Sequence, residues 1–145
     1  VLKTVKDLEA KKDYTNPQYM GLLMENFYNK HILRMPVAEW PEPVNRSMGR
    51  LNSSLYITMQ GPSELGISGK LTNWDVSKEL PNITVPTLVV GAKYDTMDPE
   101  YMKWMATQFK NGSYLYCANG SHMSLYDDQE TYFKGLIDFL KKGNL

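Results

Sequence analysis

The chain has 145 residues, enough for one ordinary domain with a buried core, and its 16 basic and 16 acidic side chains balance. Neither sign gathers into a long block, which argues against a nucleic-acid or membrane partner and for small neutral-to-polar ones. The single cysteine, Cys117, excludes an internal disulfide and a cysteine-based metal site, and its apolar company suggests a buried, inert thiol.

No apolar run is long enough to cross a bilayer, and Val1-Leu2-Lys3 carries no signal-peptide pattern, so the expected setting is the cytoplasm. From Val1 to about Leu80 the pattern is helical and amphipathic. Val5 to Lys12 reads as a charged turn or two. Asn16-Pro17 sets an N-cap before a helix-favoured proline, and the helix that follows should reach about Leu33. Met35-Pro36 and Trp40-Pro41-Glu42-Pro43 break the chain, and a new helix should run from Pro43 to about Leu51. The run Leu55 to Gln60 does not settle its own period; helix is the favoured reading. Gly61-Pro62, Gly66 and Gly69 mark a loop, and Trp74 to Leu80 should form a short helix that Pro81 ends.

From Ile83 the texture changes. Val85 to Gly91 is a β-branched run without alternation, as in a strand covered on both faces. Asp98-Pro99 opens a helix with Tyr101, Met102, Met105 and Phe109 on one side, and Asn111-Gly112 stops it. Ser113 to Cys117 is a second strand. Asp127 or Asp128 then caps a last helix, whose Tyr132, Phe133, Leu136, Ile137, Phe139 and Leu140 form a broad apolar stripe. The expected class is α/β: residues 1–82 a helical region, and residues 83–145 a strand-helix-strand-helix part of a doubly wound parallel sheet. No internal repeat or low-complexity segment is present.

Two residues at the ends of those strands carry the chemistry. Asp95 follows the first strand in Gly91-Ala92-Lys93-Tyr94-Asp95, and His122 follows the second, 27 positions later, in Asn119-Gly120-Ser121-His122. Each alone has a plainer reading, as a turn cap or as a packed histidine. Together, at the carboxyl ends of neighbouring parallel strands, an acid and an imidazole are placed to meet. Asp95 would then accept the Nδ1 proton of His122, fix its tautomer and stabilise the imidazolium, while Nε2 takes a proton from a serine. No serine of this chain sits in a G-x-S-x-G elbow; Gly66-Ile67-Ser68-Gly69 comes closest, with Lys70 in place of the last glycine. In α/β-hydrolases the chain order is nucleophile, acid, histidine, so the expectation is a carboxyl-terminal fragment, inactive alone and in need of the amino-terminal half of the core. Metal binding is not expected: His31 and His122 are the only histidines, neither lies in an H-x-x-x-H arrangement, and His31 reads as a helix-surface or packing residue.

With that pair in place, the chain resembles the proline iminopeptidase family, serine peptidases of the α/β-hydrolase fold. The landmarks are Phe27-Tyr28-Asn29-Lys30-His31, Trp40-Pro41-Glu42-Pro43, Met59-Gln60-Gly61-Pro62-Ser63-Glu64, Trp74-Asp75, Tyr94 to Pro99 and Asn119 to His122. The resemblance implies that residues 1–82 are a cap (lid) over the active site and residues 83–145 the carboxyl-terminal part of the hydrolase core. It implies catalytic Asp95 and His122, with Glu64 binding the free amine of a small peptide or amino-acid amide. The activity implied is release of an amino-terminal residue, proline by the family's name, through an acyl-enzyme and without a cofactor. In some relatives a second glutamate follows the catalytic aspartate; here that position is Thr96, which leaves room for an amino-acid amidase or esterase. Trp40, Tyr56 and Trp74 either line a pocket for a prolyl ring or pack the cap. A further alternative, from another class, is a non-catalytic binding or assembly module, a homo-oligomer whose short sheet pairs with a second copy.

Overall fold

Asn16 and Pro17 start a helix as their chemistry dictates: the Asn16 side chain accepts from the Gln18 N–H at 3.0 Å, and Pro17 occupies the first turn, where no donor is needed. A computed structural model of the chain describes residues 1–143. They fall into two compact units: one of Val1–Lys30 with Met35–Trp74, the other of His31–Arg34 with the chain from Asp75 onward.

The first unit is helical. The segment expected to be a charged turn or two is a full helix, α1 (Leu2–Ala10), closed by Lys12 at φ 57°. The Lys12 N–H bonds the Glu9 carbonyl and the Asp13 N–H the Leu8 carbonyl, a Schellman closure with lysine where glycine is usual. Next comes α2 (Pro17–Leu23), which passes into a π-helical turn, Met24–Tyr28, and a last α turn, α3 (Asn29–His31). The helix expected to reach Leu33 therefore ends at His31, with its middle widened. A 3₁₀ turn, Val37–Glu39, precedes α4 (Glu42–Gly49), and α5 (Ser53–Met59) is capped by Asn52, whose side chain accepts from the Leu55 N–H at 3.1 Å. Gly61, at φ 123°, turns the chain so that the loop folds back on the end of α5, with Ser68 and Gly69 N–H groups on the Gln60 carbonyl. Val5, Tyr19, Leu23, Tyr28, Trp40 and Val44 are buried. Trp40 is thus a packing residue, its indole N–H donating to the Met35 carbonyl at 3.2 Å, whereas Trp74 is 64% exposed and packs nothing shut.

In the second unit, the expected helix from Trp74 to Leu80 is a 3₁₀ segment, Ser77–Asn82, with Pro81 inside it. Pro81 does not end it because the Ile83 N–H closes a turn across the proline onto the Leu80 carbonyl at 3.1 Å, a bond that does not need the missing proline donor. Strand β1 (Thr87–Ala92) pairs in parallel with β2 (Gly112–Cys117) in register from Thr87 opposite Gly112 to Ala92 opposite Cys117. Between them α6 (Pro99–Gln108) is capped by Asp98 and tied to β2 by the Tyr114 hydroxyl, which donates to the Pro99 carbonyl at 2.8 Å. After β2 come α7 (Ser124–Asp127) and α8 (Gln129–Lys142). Among the described residues the sheet has the two strands expected, but β1 is only partly covered, not covered on both faces; on α8, Phe133, Ile137 and Leu140 lie exposed because the apolar stripe is wider than the surface β2 offers it. Cys117 is buried, as expected, and burial pushes its thiol above the usual range.

Candidate active site

Where β1 and β2 end, their backbones stay joined. The Lys93 N–H donates to the Cys117 carbonyl at 3.1 Å, and the Tyr94 N–H to the Gly120 carbonyl at 3.0 Å. The parallel register therefore carries on past the strands and sets Asp95 and the 119–123 loop side by side at the carboxyl rim of the sheet. Gly120 is needed for this approach: a Cβ there would lie 2.7 Å from that of Ser124 and 3.1 Å from that of Cys117.

Asp95 and His122 meet. His122 Nδ1 lies 3.0 Å from Asp95 Oδ1, with the carboxylate side chain 8% exposed and the imidazole 42% exposed. The same oxygen accepts from the Met97 N–H at 3.1 Å and the Thr96 hydroxyl at 3.3 Å. Burial raises the Asp95 pKa, but the His122 hydrogen bond, the Met97 N–H, the His122 charge and the Thr96 hydroxyl together outweigh it and hold the carboxyl below its usual value. Asp95 is thus kept ionised, with Nδ1–H as its donor, and Nε2 is the nitrogen this tautomer leaves as base. Thr96, at the position that carries a glutamate in some relatives, spends its hydroxyl on Asp95.

The imidazole is also held through its backbone. The His122 N–H donates to the His31 carbonyl at 3.0 Å and the Met123 N–H to the Ile32 carbonyl at 2.8 Å, while His31 Nδ1 lies 2.8 Å from the Tyr94 carbonyl. Arg34 reaches the Asn119 carbonyl at 2.6 Å and lays its guanidinium 3.6 Å from the centre of the Tyr94 ring. His31, read from sequence as a surface or packing residue, belongs to the frame of the site. Segment 31–34 and its partners were invisible to spacing arguments because they come from the other half of the sequence. The paired acids Asp127 and Asp128 were the available signal, since one residue suffices for a cap. Neither side chain caps α8: Asp128 accepts from the Asn119 N–H at 3.1 Å, and Asp127 serves Ser121 and Arg34.

Glu64 lies in the helical unit, half-buried. Its carboxylate accepts a hydrogen bond from the Tyr56 hydroxyl, and its N–H donates to the Tyr28 hydroxyl at 3.4 Å. Burial is the main reason that the Tyr56 and Tyr28 pKa values rise, and the carboxylate of Glu64 adds to it. Next to it the buried Ser63 donates to Glu9 Oε1 at 3.0 Å, an oxygen that also accepts from Tyr19 at 2.7 Å. Among the described residues there is no cluster of three or more histidine, cysteine or acidic side chains placed to hold a metal ion.

No family model matches the chain. Relatives are nevertheless evident. The chain is 51% identical over 144 residues to the proline iminopeptidase of Chitinophaga pinensis, a match covering 99% of this chain and 48% of that protein. It is 51% identical to the proline iminopeptidase of Flavobacterium johnsoniae over the same shares, and 32% identical to that of Saccharolobus solfataricus over 94% of this chain and 43% of the relative. Among solved structures, VinJ superposes with a TM-score of 0.85 at 27% identity, over 97% of this chain and 47% of VinJ. The proline iminopeptidase of Mycobacterium smegmatis gives 0.75 at 26% identity, over 96% and 46%. The chain spans about half the length of the curated relatives it matches. With its rim-held aspartate and histidine on a parallel strand pair, and this likeness along nearly its whole length, the chain has an α/β-hydrolase fold and is similar to about half the length of proline iminopeptidases.

Proposed function

We propose that this chain supplies the acid and the base of a serine aminopeptidase that releases an amino-terminal residue, proline by its kinship, from small peptides. The observation that carries the reading is the 3.0 Å contact between Asp95 and His122 at the ends of paired parallel strands. Asp95 orients the ring; His122 takes the proton of a serine hydroxyl as that oxygen attacks the substrate carbonyl, then returns it to the leaving amine as the acyl-enzyme forms. Water deacylates the enzyme by the same route in reverse. The serine and the oxyanion donors lie in the amino-terminal half of the hydrolase core, outside this chain, so residues 1–145 alone do not turn over substrate. Residues 1–82 act as the cap and residues 83–145 as the carboxyl-terminal part of the core.

Glu64 is the proposed partner of the substrate's free amine. A half-buried carboxylate whose oxygen is already oriented by a tyrosine hydroxyl offers a cationic amine a charge-assisted hydrogen bond. A second reading is favoured by Thr96: uncharged and occupied with Asp95, it gives the amine no second anion, which suits an amino-acid amidase or esterase of the same fold. No helix of the described residues is long and apolar enough to cross a membrane, and the reading keeps the cytoplasmic setting.

The test compares hydrolysis of a prolyl anilide with that of its N-acetylated form by the natural full-length protein. Strong preference for the free amine supports the aminopeptidase. Equal rates remove the role given to Glu64 and favour the amidase or esterase; absence of hydrolysis of either substrate favours a binding or assembly module.

A further inference from the structure

The loop that carries His122 is gripped by a carboxylate that proton transfer does not use. Asp127, at the end of α7, accepts from the Ser121 N–H at 3.0 Å through one oxygen, and from the Ser121 hydroxyl and the Arg34 N–H, the latter at 2.9 Å, through the other. Ser121 is completely buried, and its hydroxyl oxygen also lies 2.9 Å from the Ile32 carbonyl, so its one proton is shared between Asp127 and segment 31–34. The residues on either side of His122 are fastened to that same segment: Asn119 by Arg34, and Met123 by Ile32. From outside both segments, the Asp127 side chain accepts from the histidine loop and from segment 31–34 at once.

We propose that Asp127 is a positioning residue for His122: by joining Ser121 to Arg34 it fixes the 119–123 loop so that Nδ1 of the imidazole faces Asp95. The inference rests on the reading of His122 as the catalytic base, but its geometry can be tested apart from activity. Three donors converge on Asp127, and only a carboxylate can accept them all. An asparagine would aim an NH₂ group at one of them and leave it opposed by another donor. The expected consequence is a loosened loop and a displaced ring, not a lost substrate contact.

The experiment compares Asp127→Asn and Ser121→Ala in the natural full-length protein, reading kcat and KM on a prolyl anilide and the NMR resonance of the His122 Nδ1 proton. Asp127→Asn is expected to lower kcat by about 100-fold with KM little changed, the scale of a misplaced catalytic group, and to shift or broaden away the Nδ1 proton. Ser121→Ala, which keeps the backbone N–H, is expected to lower kcat by about 10-fold with a smaller change in the resonance. A folded Asp127→Asn protein that keeps its kcat and the unchanged Nδ1 resonance overturns the proposal, even if its thermal stability has fallen. Where Asp127→Asn does not fold, Ser121→Ala decides in the same way. Should the unmodified protein hydrolyse no prolyl anilide, the proposed function fails and the resonance still judges the positioning: its perturbation in the variants supports it, its persistence overturns it.

Discussion

The two units hold their candidate functional residues by different means. In the strand unit, Asp95 and His122 are brought together by main-chain bonds that extend a parallel ladder, with the His31 and Ile32 carbonyls adding two more. In the helical unit, Glu64 is held by tyrosine hydroxyls, and its neighbour Ser63 by Glu9. In the strand unit a side chain matters where it clamps that backbone, as Asp127 and Ser121 do, whereas a site set by side-chain hydroxyls shifts when a single oxygen is removed. The proposed acid-base pair should therefore withstand changes to side chains outside the cluster of Asp127, Ser121 and Arg34, and the proposed amine-binding carboxylate should respond to loss of either tyrosine hydroxyl.

Core truncations probe that division hardest. Leu23→Ala and Leu33→Ala each empty a fully buried position and should cost about 2–5 kcal/mol, measured by denaturant unfolding. Their hydrogen-exchange patterns should differ: Leu23→Ala should lower protection in α1 and α2, and Leu33→Ala in the 119–123 loop and the strands, since Leu33 belongs with the strand unit. Identical patterns would show that the two units unfold as one.

The next effect is on substrate choice. Glu64→Gln should lower kcat/KM for a free-amine substrate by roughly 30-fold, the loss of about 2 kcal/mol for a hydrogen bond to a charged group, and leave an N-acetylated substrate unaffected. A drop of equal size on both substrates would assign Glu64 to the fold instead.

A smaller effect concerns acid stability. Because the Asp95 pKa is held below its unfolded value, the ionised carboxylate stabilises the folded state above the free-carboxylate pKa of about 4, and that contribution fades as pH falls through the lower folded value. The stability gap between the natural protein and Asp95→Asn should thus be widest near neutrality and close in acid; a gap independent of pH contradicts the ionised pair. Least of all, Glu42→Ala, which breaks an exposed ion pair with Arg46 at 3.5 Å, should change stability by no more than about 0.5 kcal/mol.

How much of this was legible in the sequence divides along similar lines. Strands β1 and β2 and the caps at Asn16 and Asp98 were readable because each rests on a local pattern: a β-branched run, a side-chain acceptor before proline. The meeting of Asp95 and His122 followed from topology alone, since parallel neighbours bring their carboxyl ends to one rim. The frame around them was not readable. His31, Arg34 and Ser121 are tied into the frame by bonds spanning 63 to 93 positions, and a single sequence carries no periodic trace of such contacts. The π turn at Met24–Tyr28 was missed for a related reason, as tertiary packing and not propensity decides it. The apolar stripe of α8 was legible as a pattern, but its partial exposure was not, because amphipathicity tells which face wants cover and not whether the sheet beneath is wide enough.

Asp95→Asn in the natural full-length protein, assayed for kcat on a prolyl anilide, tests the central claim most directly. If Asp95 fixes the tautomer of His122, the substitution should lower kcat by about 10⁴-fold while the protein stays folded. A folded Asp95→Asn protein within a few-fold of the natural rate would contradict it.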